Sequence, residues 1–171
     1  MNFFKKNFLI FFILFSSYSS SETTNGVVAS RHYLASEIGA DILKKGGNAF
    51  DSAIAVGFAL AVVNPSAGNI GGGGFTVYSK KNETFALDYR EKAPILSTEN
   101  MYLNEEGNVI DGLSLKSYLS SGIPGTVAGL IFLHKNEASM SLRDLMNPAI
   151  KLAENGFGSV SYTHLRAHET L

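Results

Sequence analysis

Residues Asn48–Phe75 read NAFDSAIAVGFALAVVNPSAGNIGGGGF. Asn48 is a residue type whose side-chain oxygen caps helices, and Asp51 falls in the first turn that would follow. From Ala49 to Val63 the stretch is apolar all round except at Asp51 and Ser52. Such a helix has no solvent face, so it is either a central core element or a membrane span. It is short for a span, which takes about 20 apolar residues, and we therefore expect a core helix. Asn64-Pro65 stops it, because proline disfavours helical backbone in the residue before it. Glycines then crowd Gly68–Gly74, and the β-rich Phe75-Thr76-Val77-Tyr78 follows.

The neighbouring segments fit around that helix. Upstream, Gly26–Ser30 reads as a short strand and Leu34–Lys45 as a helix, with Leu34, Ile38 and Ile42 on one face. Gly46-Gly47 ends it. Downstream, Phe75–Ser79 and Thr84–Tyr89 read as a hairpin joined by the polar Lys80–Glu83. Ala93–Glu99 is irregular, Glu106-Gly107-Asn108 marks a turn, and Ser117–Gly125 is loop-like. A third helix runs from Thr126 to about Lys135. Ser141 caps a short turn through Met146, and Asn147-Pro148 starts a separate last helix that Gly156 ends. Core helices, then a hairpin, then helices again argue a mixed layered α+β fold rather than alternating βαβ units.

Composition excludes several functions. Lys+Arg is 14 against 15 Asp+Glu, a net charge of -1, so binding nucleic acid by phosphate neutralisation is not expected. Zero cysteines remove disulfide scaffolds, cysteine zinc sites and thiol nucleophiles. At the start, Lys5-Lys6, the apolar run Phe8–Phe15 and the serine-rich Ser16–Ser21 form the n-region, h-region and cleavage region of a secretory signal peptide. Residues 1–21 are accordingly assigned to a signal peptide, and the mature protein is expected to be exported, periplasmic or secreted.

Four features can carry chemistry. The glycine loop Gly68–Phe75 lacks the Lys-Ser/Thr of a phosphate loop and opens a strand, so it reads as a tight loop where chain segments pack. Asp88-Tyr89-Arg90-Glu91 ends the second hairpin strand, and alternation puts Asp88 and Arg90 on one face and Tyr89 and Glu91 on the other. Arg90 can offer a planar fork to a substrate carboxylate, or form a surface ion pair with Asp88 or Glu91, and the residues by themselves favour the pair. Ser121-Gly122-Ile123-Pro124-Gly125-Thr126 is a stiff turn into a helix, whose free N–H groups could hold an anion or simply begin the helix. His164 and His168 share a helix face at metal-binding spacing. Apolar periodicity stops after Gly158, however, so no metal site is assigned. His32 and His134 read as ordinary.

Taken together, ILKKGGNAFDSAIAVGFALAVVNPSAGNIGGGGF (Ile42–Phe75), LDYREKAP (Leu87–Pro94), GIPGTVAG (Gly122–Gly129) and PAIKLAENGF (Pro148–Phe157) resemble the N-terminal part of γ-glutamyltransferases. The resemblance implies an N-terminal-nucleophile hydrolase fold, an αββα sandwich of which the N-terminal part is present. It implies an exported proenzyme that cuts itself, so that the new N-terminal threonine of the small subunit attacks the γ-glutamyl amide of glutathione or a related compound and passes the acyl group to water or an amine. It makes Arg90, in the family's D-[FY]-R-E motif, the substrate-binding residue for the glutamyl α-carboxylate. The implied partners are a γ-glutamyl compound and the small subunit of the same precursor, with no cofactor, metal or nucleic acid.

The resemblance puts the nucleophile far downstream, so no catalytic residue is assigned within this chain, and neither Thr126 nor Thr163 takes that place. Residues 22–158 are then large-subunit sequence, and 159–171 read as a non-family tail of sequencing or cloning origin. Two other readings stand beside this one: an exported carboxylate-binding module without catalysis, and a related acylase such as a cephalosporin acylase.

Overall fold

The computed structural model describes residues 26–158. The signal peptide assigned to residues 1–21, the tail from 159 onward and the His164/His168 pair lie outside them. The described chain forms α1 (Tyr33–Lys44), α2 (Ala49–Val63), β1 (Phe75–Lys80), β2 (Glu83–Asp88), α3 (Leu113–Lys116), α4 (Thr126–Glu137) and α5 (Leu142–Asn155), with a single 3-10 turn at Tyr118–Ser120. It is a mixed fold in which α1, α4 and α5 pack around α2, with a β1–β2 hairpin laid against them.

The central helix follows from its sequence. Asn48 Oδ1 accepts from the N–H groups of Phe50 and Asp51, and the Asp51 carboxylate reaches back to the Asn48 N–H, which closes a reciprocal cap. Ile54, Ala55, Phe58, Ala59 and Val63 are buried along it. No helix among the described residues is long and apolar enough to cross a membrane. The α1–α2 crossing is close at Gly39, where a methyl group would stand 2.6–2.8 Å from Val56, Val28 and Ser52. Ser52 Oγ donates to the Gly39 carbonyl at 3.0 Å and ties the helices there.

Asp51 also reaches across the fold. Its side chain is fully buried. Beyond its own cap it accepts from the N–H groups of Ser139 and Met140, each at 3.0 Å, and from the Ser139 hydroxyl. Asn48 Nδ2 donates to the Glu137 carbonyl at 2.9 Å. The α4–α5 connection is thereby fastened to the start of α2. Burial pushes the Asp51 carboxyl up, but hydrogen bonds from the Ser139 hydroxyl and from the Met140, Asn48 and Ser139 amides outweigh burial and hold it below its ordinary value of 3.8.

The hairpin is tighter than its polar connection suggests. β1 and β2 pair antiparallel from Phe75↔Asp88 to Lys80↔Glu83. Lys81 and Asn82 alone make the turn, with φ of 52° and 65°, the left-handed geometry that matches strand twist. Tyr78 stacks on its cross-strand partner Phe85 at 5.1 Å, and Phe50 meets the Tyr78 ring edge-on at 4.9 Å, which seats this face on α2. The opposite face leaves Phe75 63% and Val77 71% exposed.

Other expectations are corrected. Gly26–Ser30 carries no regular secondary structure and joins no ladder among the described residues, since the hairpin's partners are each other. Instead it lies over the α1–α2 crossing, with Val28 against Gly39. Ser117–Gly125, read as loop-like, contains the 3-10 turn, and the short α3 precedes it in a stretch to which no element was assigned. Leu142–Asn155 is one helix, capped by Ser141, with Pro148 inside it. A proline there costs about 3 kcal/mol, but Leu145 and Ala149, one turn apart and buried, bind the helix to the core across the proline.

The Asp51 network predicts a signed pH dependence. Its stabilisation is complete above the ordinary carboxyl value and is lost as pH falls through the lower folded-state value. In urea unfolding of the full-length protein, Asp51→Asn is expected to cost on the order of 3 kcal/mol at neutral pH, since two or more donors lose a charged acceptor. It should also flatten the acid limb of the stability profile. An unchanged acid limb would contradict the assignment.

Candidate functional site

Three of the sequence features converge on one segment, Tyr89-Arg90-Glu91, just past the end of β2. The glycine loop lies on one side of it. Tyr89 N–H donates to the Gly74 carbonyl at 3.0 Å, and Gly74 N–H returns a longer bond to the Tyr89 carbonyl at 3.4 Å. The turn into α4 lies on the other side, where Lys92 and Ile123 exchange N–H···O bonds of 3.2 and 2.8 Å. The two flanks are joined directly, because the Gly72 carbonyl accepts from the N–H groups of Gly125 and Thr126 at 2.9 and 3.0 Å. Those donors at the start of α4 are therefore used within the protein, and the anion-binding reading of Gly125 and Thr126 falls.

Glycine is needed on both flanks for lack of space. A Cβ at Gly73 would lie 2.6 Å from the Glu91 nitrogen and 2.8 Å from Arg90 main-chain atoms. At Gly125 it would lie 1.8 Å from the Tyr89 carbonyl oxygen, and at Gly129 2.3 Å from the Tyr89 ring. The Tyr89 ring thus occupies the room that Gly129 leaves on α4. Its hydroxyl meets Thr76 Oγ1 at 3.1 Å. The glycine loop packs backbone on backbone, as the sequence reading favoured. Gly129 was missed there, although a small residue inside an apolar helix is a sign of close approach.

On this pinned segment Tyr89 is half-buried, while Asp88, Arg90 and Glu91 are exposed. Ion pairs among the described residues join Lys44 to Asp41 and Lys80 to Glu137. The surface pair expected between Arg90 and Asp88 or Glu91 is not formed. Asp88 instead uses Oδ1 to accept the Arg90 main-chain N–H at 2.9 Å. A cleft of about 390 Å³ opens on the glycine-loop side, walled by Gly72, Gly73, Tyr89, Glu91 and Thr126. Chemically, the arrangement offers an exposed guanidinium fork on a hydrogen-bonded main chain, in no ion pair among the described residues, and such a fork can take a carboxylate in two parallel hydrogen bonds.

The other histidines serve structure. His32 Nδ1 caps α1 by accepting from Leu34 N–H at 3.3 Å, and His134 Nε2 contacts the Met140 carbonyl at 3.0 Å. Among the described residues no group of three or more His, Cys, Asp or Glu side chains is placed to hold a metal ion.

Comparison with known proteins agrees with the motif pattern. The sequence model of the family described as Gamma-glutamyltranspeptidase matches residues 35–170, a range that takes in most of the segment from 159 onward. A glutathione hydrolase proenzyme from Pseudomonas sp. (strain A14) is 47% identical over 149 residues, 84% of this chain and 26% of that protein. One from Escherichia coli (strain K12) is 50% identical over 133 residues, 77% of this chain and 23% of that protein. The crystal structure of Helicobacter pylori gamma-glutamyltranspeptidase superposes with a TM-score of 0.82 at 52% identity, covering 86% of this chain and 42% of that one. The chain thus spans about a quarter of the length of the curated relatives it matches.

The packing makes a graded prediction. Gly125→Ala, whose methyl would meet the Tyr89 carbonyl at 1.8 Å, should destabilise the full-length protein by about 3 kcal/mol or more in urea unfolding. Gly122→Ala, where the nearest atom is the Glu91 Cβ at 3.1 Å, should cost clearly less. Equal costs would mean that the Gly125–Tyr89 approach does not define the site.

Proposed function

The chain belongs to the gamma-glutamyltranspeptidase family, and on that premise we propose that it is the N-terminal part of the large subunit of an exported γ-glutamyltransferase. The complete enzyme cleaves the γ-glutamyl amide of glutathione or a related compound and transfers the glutamyl group to water or to an amino acid or peptide. The nucleophile is a threonine supplied by the small subunit of the same precursor. Its hydroxyl attacks the γ-carbonyl, the amine leaves, and the acyl-enzyme is resolved by water or an acceptor amine.

This chain contributes Arg90, which grips the α-carboxylate of the glutamyl donor. The observation that carries the assignment is a guanidinium in no ion pair among the described residues, on a main chain pinned from both sides. Pinning matters because a fork that must be ordered on binding gives up affinity to lost side-chain and loop freedom. The contact exists before and during reaction, so it contributes to binding more than to the chemical step.

The αββα sandwich is part of the same proposal. Helices cover one face of the hairpin, and Phe75 and Val77 on the other face are apolar and exposed, as a sheet awaiting a second layer would be. Export rests on Lys5-Lys6 and the apolar Phe8–Phe15.

The assignment of Arg90 is tested in the complete, processed enzyme with a chromogenic γ-glutamyl anilide. Arg90→Ala should raise KM by about 10–100-fold, the range of a lost charge-assisted hydrogen bond, with a much smaller change in kcat. An unchanged kcat/KM would remove the carboxylate clamp.

A further inference from the structure

We infer that Asp88 is a positioning residue for Arg90 and acts on its main chain, as an acceptor for the Arg90 N–H, rather than on its guanidinium as a counter-charge. The inference rests on the reading of Arg90 as the carboxylate ligand. Asp88 is the last residue of β2, opposite Phe75 in the final ladder pair. Tyr89 N–H is taken by the Gly74 carbonyl and Lys92 N–H by the Ile123 carbonyl. Arg90 lies between these anchors, and its N–H donates to the Asp88 carboxylate at 2.9 Å, the aspartate side chain bonding the main chain two residues ahead of it. The Asp88 carboxylate forms no ion pair among the described residues.

The direction in which the Arg90 side chain leaves the backbone depends on the peptide plane between Tyr89 and Arg90. The Tyr89 carbonyl side of that plane abuts Gly125, where even a methyl group has no room. The N–H side is held by Asp88. With both ends of one peptide unit held, the fork is aimed before substrate arrives, and orientation gained beforehand is not lost on binding.

An acceptor role and a charge role separate by substitution. Asn at position 88 keeps an oxygen that can accept the Arg90 N–H but carries no charge, whereas Ala keeps neither. In the complete, processed enzyme assayed with a chromogenic γ-glutamyl anilide, Asp88→Ala should raise KM about tenfold, as one charge-assisted bond is lost, and leave kcat within about twofold. Asp88→Asn should hold KM within about twofold of the parent enzyme by the same reasoning.

A KM for Asp88→Ala equal to that of the parent overturns the inference. So does Asp88→Asn as impaired as Asp88→Ala, since charge would then be the active property. Arg90→Ala in the same assay separates the premise: no rise in KM there sinks the clamp itself, whereas a rise in KM with Asp88→Ala silent sinks only the positioning role. Should Asp88→Ala fail to mature, hydrogen exchange at the Arg90 amide decides the matter in the parent and in Asp88→Asn. Protection in both supports the inference, and exchange at the rate of an unstructured peptide in either one overturns it.

Discussion

A buried negative charge is costly unless donors surround it, and Asp51 is surrounded. The donors come from two places distant in sequence, the cap of α2 and the connection between α4 and α5. Satisfying one carboxylate therefore fixes how α4 leaves and α5 arrives relative to α2. Apolar packing of Ile54, Phe58, Leu130, Leu133 and Leu145 then fills the space between helices that are already registered. Hydrophobic burial is strong but not directional. The hydrogen-bonded charge supplies the direction.

That registration extends to the candidate site. α4 carries Gly129 and begins beside Gly125, the positions that accept the Tyr89 ring and carbonyl. The Gly72 carbonyl links the start of α4 to the glycine loop. Arg90 is thus set by a chain of contacts running from the buried carboxylate through α4 to the end of β2. The residue itself is exposed and its guanidinium is in no ion pair among the described residues, which leaves it open to a ligand.

How much of this the sequence disclosed depended on the range of the interaction. The limits of α2 and its cap follow from local chemistry, Asn48 with Asp51 at one end and Asn64-Pro65 at the other, and the structure agrees. The hairpin was legible from its β-rich runs. Two readings failed where tertiary contacts decide. Pro148 suggested a helix start, but Leu145 and Ala149 keep one helix continuous across it. Gly26–Ser30 has strand character and no partner strand among the described residues. Asp51 does sit in the first turn of α2 as read, but most of its donors lie on Ser139 and Met140, a relation no local pattern reveals. At the site, the glycines and Arg90 were each visible as motifs. What the motifs could not convey was that Gly73 and Gly125 leave room for the main chain around Arg90, or that Asp88 bonds the Arg90 backbone rather than its side chain.

The bare face of the hairpin bears on biosynthesis. Phe75 and Val77 lie side by side on a ribbon whose two outer edges are unpaired among the described residues. A ribosome that has released only this much polypeptide presents a greasy, edge-open surface, the kind that recruits holdase chaperones and templates wrong pairings between neighbouring nascent chains.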